Sequence, residues 1–248
     1  MKQTIFKHRS IRKFKPTPIP DELLTEMLEA ATRASTCGNM QLYSLVVTRD
    51  EARRRRLLPC HFNQQMVVEA PCVITVCADV HRFSMWCKQR DAHPAYDNFG
   101  WFLTATIDAM LAAQNLALAA EDAGLGICYL GTTLYTAGEI VRELELPAGV
   151  IPVTTIVVGY PDEKPGLTDR LPLEAVVHYE KYNDYTAAEI DELWAEREES
   201  ELTKRLLAEN NLPNLARIFT ERRYVREDNL ALSRSYFELL KERGFFHQ

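Results

Sequence analysis

One apolar stretch, residues 101–120, constrains this chain more than any other segment. It is long enough to cross a bilayer as a helix. Asp108, Gln114 and Asn115 interrupt it, however, and such groups are costly in lipid. A near-continuous apolar surface broken by a few polar side chains suits a helix buried in a protein core or between subunits. The sequence therefore predicts a soluble fold around one long helix over residues 98–123, ended by Gly124.

Around that helix, β-branched runs alternate with amphipathic ones. Residues 43–48, 72–79, 127–131 and 153–159 read as strands. Residues 21–33, 51–58, 64–70 and 137–144 read as helices, the first capped by Asp21 after the break at residues 16–20. Such alternation through residue 160 implies an α/β or α+β sandwich with a largely buried sheet. Beyond Pro172 the pattern changes. Residues 188–199 form a polar, acidic helix, residues 200–228 read as extended or mobile, and residues 228–243 form a last amphipathic helix. The region after about residue 180 has too little apolar content for its own core, so it reads as an arm.

Composition narrows the function classes. The 248 residues carry 29 Lys and Arg against 35 Asp and Glu, a net charge of −6, which argues against a nucleic-acid binder. A hydrophobic fraction of 46% argues against disorder. The opening MKQTIFKHRS lacks the apolar run of a secretory signal, and the six cysteines lack CxxC or metal-ligand spacing. Free thiols in a reducing cytoplasm, with no bound metal and no membrane contact, are expected.

Four segments could carry chemistry. His8-Arg9-Ser10-Ile11-Arg12 gathers cations and a hydroxyl, which suits a phosphate and equally suits a solvated basic face. Residues 35–41 form a small polar loop able to present donors to a ring-shaped ligand, or a plain turn. In residues 124–133 the Gly-Leu-Gly ends a helix and opens a strand, the reverse of a dinucleotide-binding fingerprint. Gly159-Tyr-Pro161 ends a strand, and Arg170 follows after a loop. No phosphate loop and no nucleophile elbow occur, His178 reads as structural, and the His61 region lacks a metal partner.

Taken together, HRSIRKF, the AS-x-x-x-N-x-Q loop, AAQNLALAAEDAGLGICYLG and VVGYP followed by RLP resemble the FMN-dependent nitroreductase family over about residues 5–180. HRSIR and the terminal LLKERGFF are similar to its larger NADPH-preferring, oxygen-insensitive nitroreductase and flavin reductase branch. The resemblance implies an α+β three-layer sandwich whose central, mostly antiparallel sheet is flanked by helices. It implies an FMN-binding domain over residues 1–180, with residues 181–248 as a C-terminal helical extension. It further implies a homodimer with FMN at the subunit interface.

By position, His8, Arg9, Ser10 and Arg170 would hold the FMN phosphate, and Arg12 would face the N1/O2 edge of the flavin. Gln64 and the loop residues Ser35, Thr36, Asn39 and Gln41 would contact the ring and ribityl chain, the loop from the partner subunit. Tyr129, Leu130, Gly131 and Thr132 would line the ring near N5. Related members carry Lys where this chain has Thr168, which leaves Lys164 as a nearby cation. Arg222, Arg223 and Arg226 are candidates for the NADPH 2′-phosphate.

The implied function is an oxidoreductase passing hydride from NADPH or NADH through FMN to nitroaromatic, quinone or flavin acceptors by a ping-pong route. No side chain need act as acid, base or nucleophile. Flavin reductase, reductive dehalogenase or dehydrogenase activity on the same scaffold, and a non-catalytic FMN-binding protein, are the alternatives.

Overall fold

Alternating β-branched residues place apolar side chains on both faces of one sheet. The strands are β1 (Tyr43–Thr48), β2 (Cys72–Asp79), β3 (Gly126–Leu130) and β4 (Val150–Gly159), in the order β1-β2-β4-β3, with every neighbouring pair antiparallel. This computed structural model describes residues 2–247. β2 and β4 are buried along their full lengths, as central strands covered on both sides must be.

The helices in chain order are α1 (Lys2–Phe6), α2 (Asp21–Thr32), α3 (Glu51–Leu57), α4 (Met66–Glu69), α5 (His81–Lys88), α6 (Phe99–Asp122), α7 (Ala137–Glu143), α8 (Ala187–Glu199), α9 (Glu201–Asn210), α10 (Leu215–Ile218) and α11 (Arg226–Glu242). Cys72, Ile74, Val76 and Ala78 point to one face of the sheet, where they pack with α2 and α6. Val73 and Val157 point to the other, against Leu57 of α3 and Met66 and Val67 of α4. The alternation follows from the two-residue period of a strand. The result is the expected α+β sandwich.

The chain divides into two compact units, Met1–Gly166 with Arg234–Gln248, and Leu167–Ser233. The sheet and α1–α7 lie in the first, which also holds the second half of α11. Leu240 and Phe245 join its core. The second unit has helices as its regular secondary structure, joined by irregular segments such as residues 176–186, with few buried side chains: Thr203, Leu215 and Ile218.

α6 ends as its glycine predicts. Gly124 adopts φ +82°, the Gly124 N–H reaches Glu121 O at 3.1 Å, and the Leu125 N–H reaches Ala120 O at 2.9 Å. These two bonds satisfy carbonyls of the last turn in a Schellman motif. The polar residues that interrupt the helix all have partners. Asp108 accepts from the Cys37 and Leu42 N–H groups at 2.9 and 3.2 Å, Asn115 donates to Ala30 O at 3.3 Å, and Gln114 accepts from the Tyr129 hydroxyl at 3.5 Å. Burial of α6 within one copy of the chain is one-sided. Leu103, Ile107, Met110 and Leu111 remain exposed along a stripe of helical spacing.

Several expectations need correction. Pro20, not Asp21, occupies the cap position of α2; Asp21 opens the helix and its carboxylate pairs with Arg49. Residues 81–88 form α5, which the sequence reading does not include: the helix is short, polar on average and buries only Cys87. Residues 200–228, read as extended or mobile, are largely helical. Ser200 caps α9 by accepting from the Thr203 N–H, and Asn214 caps α10 by accepting from the Arg217 N–H. Local caps and i,i+4 pairs, such as Arg217 with Glu221 at 2.5 Å, support helix there where apolar periodicity is weak.

Two motif glycines are explained by close approach. Gly126 and Gly159 pair across β3 and β4. A Cβ on Gly126 would lie 2.5 Å from Cγ1 of buried Ile11, and one on Gly159 would lie 2.5 Å from Cδ of Pro71. Gly126→Ala is therefore expected to lower the unfolding free energy by about 1–3 kcal/mol through overpacking. Trimming Ile11 to Ala in the same chain should recover part of that loss. Urea unfolding of the single and double variants measures both effects, and an unchanged midpoint for Gly126→Ala would refute the packing account.

Candidate active site

The cationic segment near the chain start is held extended along the outer edge of β3. Ser10 forms a parallel bridge with Ile127, and the Ile11 N–H donates to Ile127 O at 2.9 Å. Further along, the Lys15 N–H donates to Tyr160 O and the Asp162 N–H to Lys13 O, both at 2.9 Å. Glu163 closes the arrangement by accepting from the backbone N–H groups of Arg12 and Lys13 at 2.5 and 3.1 Å. Side chains alternate along an extended segment. Ile11 accordingly enters the core beside Cys128 and Leu130, while His8 reaches α6, where its Nδ1 lies 2.8 Å from Glu121 Oε1. Arg9 donates to Pro165 O at 2.8 Å and lines a cavity of about 520 Å³ with Lys7, Glu121, Glu163 and Lys164.

A second segment meets the far end of β3. His61 is fully buried, and its Nδ1 lies 3.0 Å from Thr132 Oγ1. Phe62 and Asn63 follow with φ of 54° and 56°, an uncommon left-handed pair that turns the chain into Gln64. Oε1 of Gln64 and Nε2 of His61 are buried without a hydrogen-bond partner among the described residues. Gly131 faces open space, with nothing within 4 Å of where a Cβ would stand. Buried polar atoms left unanswered beside an open backbone are what a polar planar ligand would complete.

Burial sets the proton affinities here. It pulls the His61 imidazole down to about 4 and pushes the Cys128 thiol up, the latter opposed by Arg12. The Tyr129 phenol is raised by burial and by the Glu121 carboxylate. Among the described residues no three His, Cys, Asp or Glu side chains gather as metal ligands.

The structure thus brings His8, Ser10 and Arg12 to β3 and joins Gln64's segment to Thr132. The 35–41 loop sits elsewhere in the same copy. Thr36 Oγ1 accepts from the Gln41 N–H at 2.9 Å, the Gln41 amide donates to Asn39 Oδ1 at 3.3 Å, and Asn39 and Gln41 have φ of 56° and 54°. The loop is anchored on Asp108 through the Cys37 N–H. His8 is anchored on Glu121, thirteen residues further along α6, which is about 20 Å of helix. Ser35 lies at the loop's start, close in sequence to Thr36.

Arg170 belongs to the second unit. Its guanidinium donates to Thr168 Oγ1 at 2.7 Å, so the residue standing at the family's lysine position holds the arginine instead. Arg222, Arg223 and Arg226 are in that unit too, Arg223 lying 5.5 Å over the Phe219 ring. His178 has aromatic company: its ring lies 4.3 Å from that of Tyr182 at a tilt of 36°, and its Nε2 is hydrogen-bonded to the Tyr185 hydroxyl at 3.2 Å. The sequence reading missed Glu121, Glu163 and the bonding role of His61. Their signals are weak, because a carboxylate that accepts main-chain N–H groups looks in sequence like any surface acid.

The buried His61 makes a pH prediction. Its folded value of about 4 lies below the ordinary 6.5, so the unfolded chain binds the extra proton between those limits. The corresponding stability is fully present above about pH 6.5 and is lost as pH falls toward 4, by roughly 3 kcal/mol at most. Replacing His61 with Gln should flatten the loss of stability between pH 7 and pH 5. Equal slopes for the two proteins in urea titrations would contradict it.

Comparisons with known proteins agree with this geometry. Residues 5–160 match the Nitroreductase family. FMN reductase (NADPH) from Bacillus subtilis is 34% identical over 183 residues, covering 73% of this chain and 74% of the relative. A candidate oxidoreductase from Bacteroides fragilis superposes with a TM-score of 0.97 at 47% identity, over 98% of this chain and 99% of that one. NADPH:FMN oxidoreductase from Vibrio harveyi, solved with NAD+, gives a TM-score of 0.81 at 27% identity over 100% and 99% of the two chains. A cationic segment stitched to an edge strand, a Gly-Leu-Gly that admits it, and this breadth of similarity have one explanation: the chain belongs to the nitroreductase family.

Proposed function

We propose that this chain is an NADPH-dependent FMN oxidoreductase whose flavin site is built from the residues along β3. The observation that carries the reading is the convergence on one strand of the His8–Ser10–Arg12 segment and the Gln64–Thr132 corner, with buried polar atoms there left unpaired. The names of the similar proteins, FMN reductase (NADPH) and NADPH:FMN oxidoreductase, support the same cofactor and donor. Residues along β3 would hold FMN, which when bound would supply the redox chemistry of hydride exchange between a reduced nicotinamide and an acceptor, the ping-pong route the reading implies.

The chain's own residues bind and orient. Within the first unit, His8, Arg9 and Ser10 hold the phosphate by charge-assisted hydrogen bonds. Arg12 places positive charge beside the ring where electron density gathers on reduction. Gln64 and the 129–132 backbone hold the ring edge, Thr132 being fixed by His61. Arg222, Arg223 and Arg226 are the cations assigned to the 2′-phosphate of NADPH. Acceptors are nitroaromatics, quinones or free flavin, the last favoured by the B. subtilis relative's name. The six cysteines are all free, as a cytoplasmic enzyme requires.

A homodimer completes the site. The 35–41 loop stands about 20 Å along α6 from His8 in one copy, and the apolar stripe of α6 lacks a cover, with Ile107 60% exposed. A second copy laid against α6 answers both facts, bringing its 35–41 loop to the ring.

Three outcomes follow. The purified protein is expected to be yellow and to bleach on anaerobic NADPH; a colourless protein that takes up no FMN would exclude the reading. Arg12→Ala should slow flavin reduction roughly 10- to 100-fold in stopped-flow traces, and unchanged rates would remove Arg12 from its place. In sedimentation the chain should run as a dimer, and Ile107→Glu should shift it toward monomer with loss of flavin. A monomeric wild-type chain that retains FMN would refute the shared site.

A further inference from the structure

A carboxylate stands where the proposed function puts a phosphate. Glu121 lies in the last turn of α6 with its side chain only 11% exposed, and its Oε1 is 2.8 Å from His8 Nδ1. Its second oxygen, Oε2, is buried with no hydrogen-bond partner among the described residues. An acid beside an anion site is repulsive unless something between them compensates. His8 is that something, and the chemistry of imidazole restricts how.

A carboxylate only accepts hydrogen bonds, so the 2.8 Å contact requires the His8 proton on Nδ1. A neutral ring protonated at Nδ1 has a bare lone pair at Nε2, and a lone pair facing a phosphate oxygen is repelled. His8 can donate from Nε2 to a phosphate while bonded to Glu121 only by carrying both protons. The charge this creates sits between two anions and at the C-terminal end of a 24-residue helix, where a cation is favoured. It also offsets the cost of a buried carboxylate with one oxygen unpaired. Other charged and titratable groups around His8 are Lys7 and Arg9 on its own segment, Asp122 beside Glu121 on α6, Tyr129 on β3, and Glu163 and Lys164 after β4. Arg9 is engaged with Pro165 O, Asp122 with Thr4 Oγ1 at 2.6 Å, and Glu163 with the backbone of Arg12 and Lys13.

We infer that Glu121 is a positioning residue that makes binding of the FMN phosphate proton-coupled: His8 takes up a proton as the phosphate arrives, because Glu121 holds its Nδ1–H. No bond to the flavin changes; one proton moves from solvent to His8 Nε2. The inference rests on the reading of His8 as a phosphate ligand. A glutamine at position 121 removes the coupling, since its amide donates to Nδ1 and leaves a neutral ring with an Nε2–H free for the phosphate.

The test is calorimetric. The full chain is freed of flavin and titrated at about pH 8, above the ordinary histidine range, with FMN and with riboflavin, in two buffers of different ionisation enthalpy. The wild type should take up about one proton per FMN and none per riboflavin, which lacks the phosphate. Glu121→Gln should bind FMN about tenfold more weakly with proton uptake reduced by more than half. His8→Gln should abolish uptake, which covers the case of a misfolded Glu121 variant. FMN binding without proton uptake in the wild type, or uptake undiminished in either variant, overturns the inference and leaves the flavin reading standing. Failure of the wild type to bind FMN removes both.

Discussion

The burial of α6 against the sheet is the constraint on which the first unit depends. Its small residues Ala105, Ala109, Ala112, Ala113, Ala117 and Ala120 are buried, which lets the helix approach α2 and β2 closely. For a helix so placed, a polar side chain with no partner at all is expensive in a dry interior. Buried Asp108 and part-buried Glu121 therefore each take a partner from another segment, and Gln114 finds one at the exposed surface. Asp108 ties down the 35–41 loop, Gln114 meets Tyr129, and Glu121 meets His8. Packing and polar anchoring are thus two consequences of one helix position.

Site geometry follows from those anchors. Gln114 and Glu121 are seven residues apart and share a helix face, so Tyr129 and His8 are drawn to the same side of the sheet. The cationic segment is then fixed at its other end by Glu163, which accepts two of its backbone N–H groups. Acidic side chains do most of the positioning in the region proposed to hold an anionic ligand. That is consistent with a chain of net charge −6 whose cations are gathered in few places.

Much of the fold was legible. β1 and β2 matched their predicted spans, and α6 was displaced by one residue at each end, because strong periodicity and a glycine stop dominate there. α5 and the helices of residues 200–223 do not stand out in the sequence, since they lie on mostly exposed surfaces, and the latter are supported by the Ser200 and Asn214 caps and by local ion pairs. At the site, His8, Ser10, Arg12 and Thr132 could be nominated from motif and order. Glu121, Glu163 and His61 could not, because what distinguishes them is the partner each meets, and His61 meets Thr132 from 71 positions away.

By itself the sequence determined the four strands, the strongly periodic helices, the sandwich class and the family, because these rest on local periodicity, turn chemistry and ordered motifs. Tertiary structure alone decided which of its acids and histidines act together. Gly126 shows where the two meet. In sequence it is one glycine of a Gly-Leu-Gly, and in space it is the gap through which Ile11 passes so that His8 and Ser10 can reach the strand. Hydrogen bonds and close contacts between distant residues are set by the packed arrangement of helices and sheet, and no spacing along the chain encodes them.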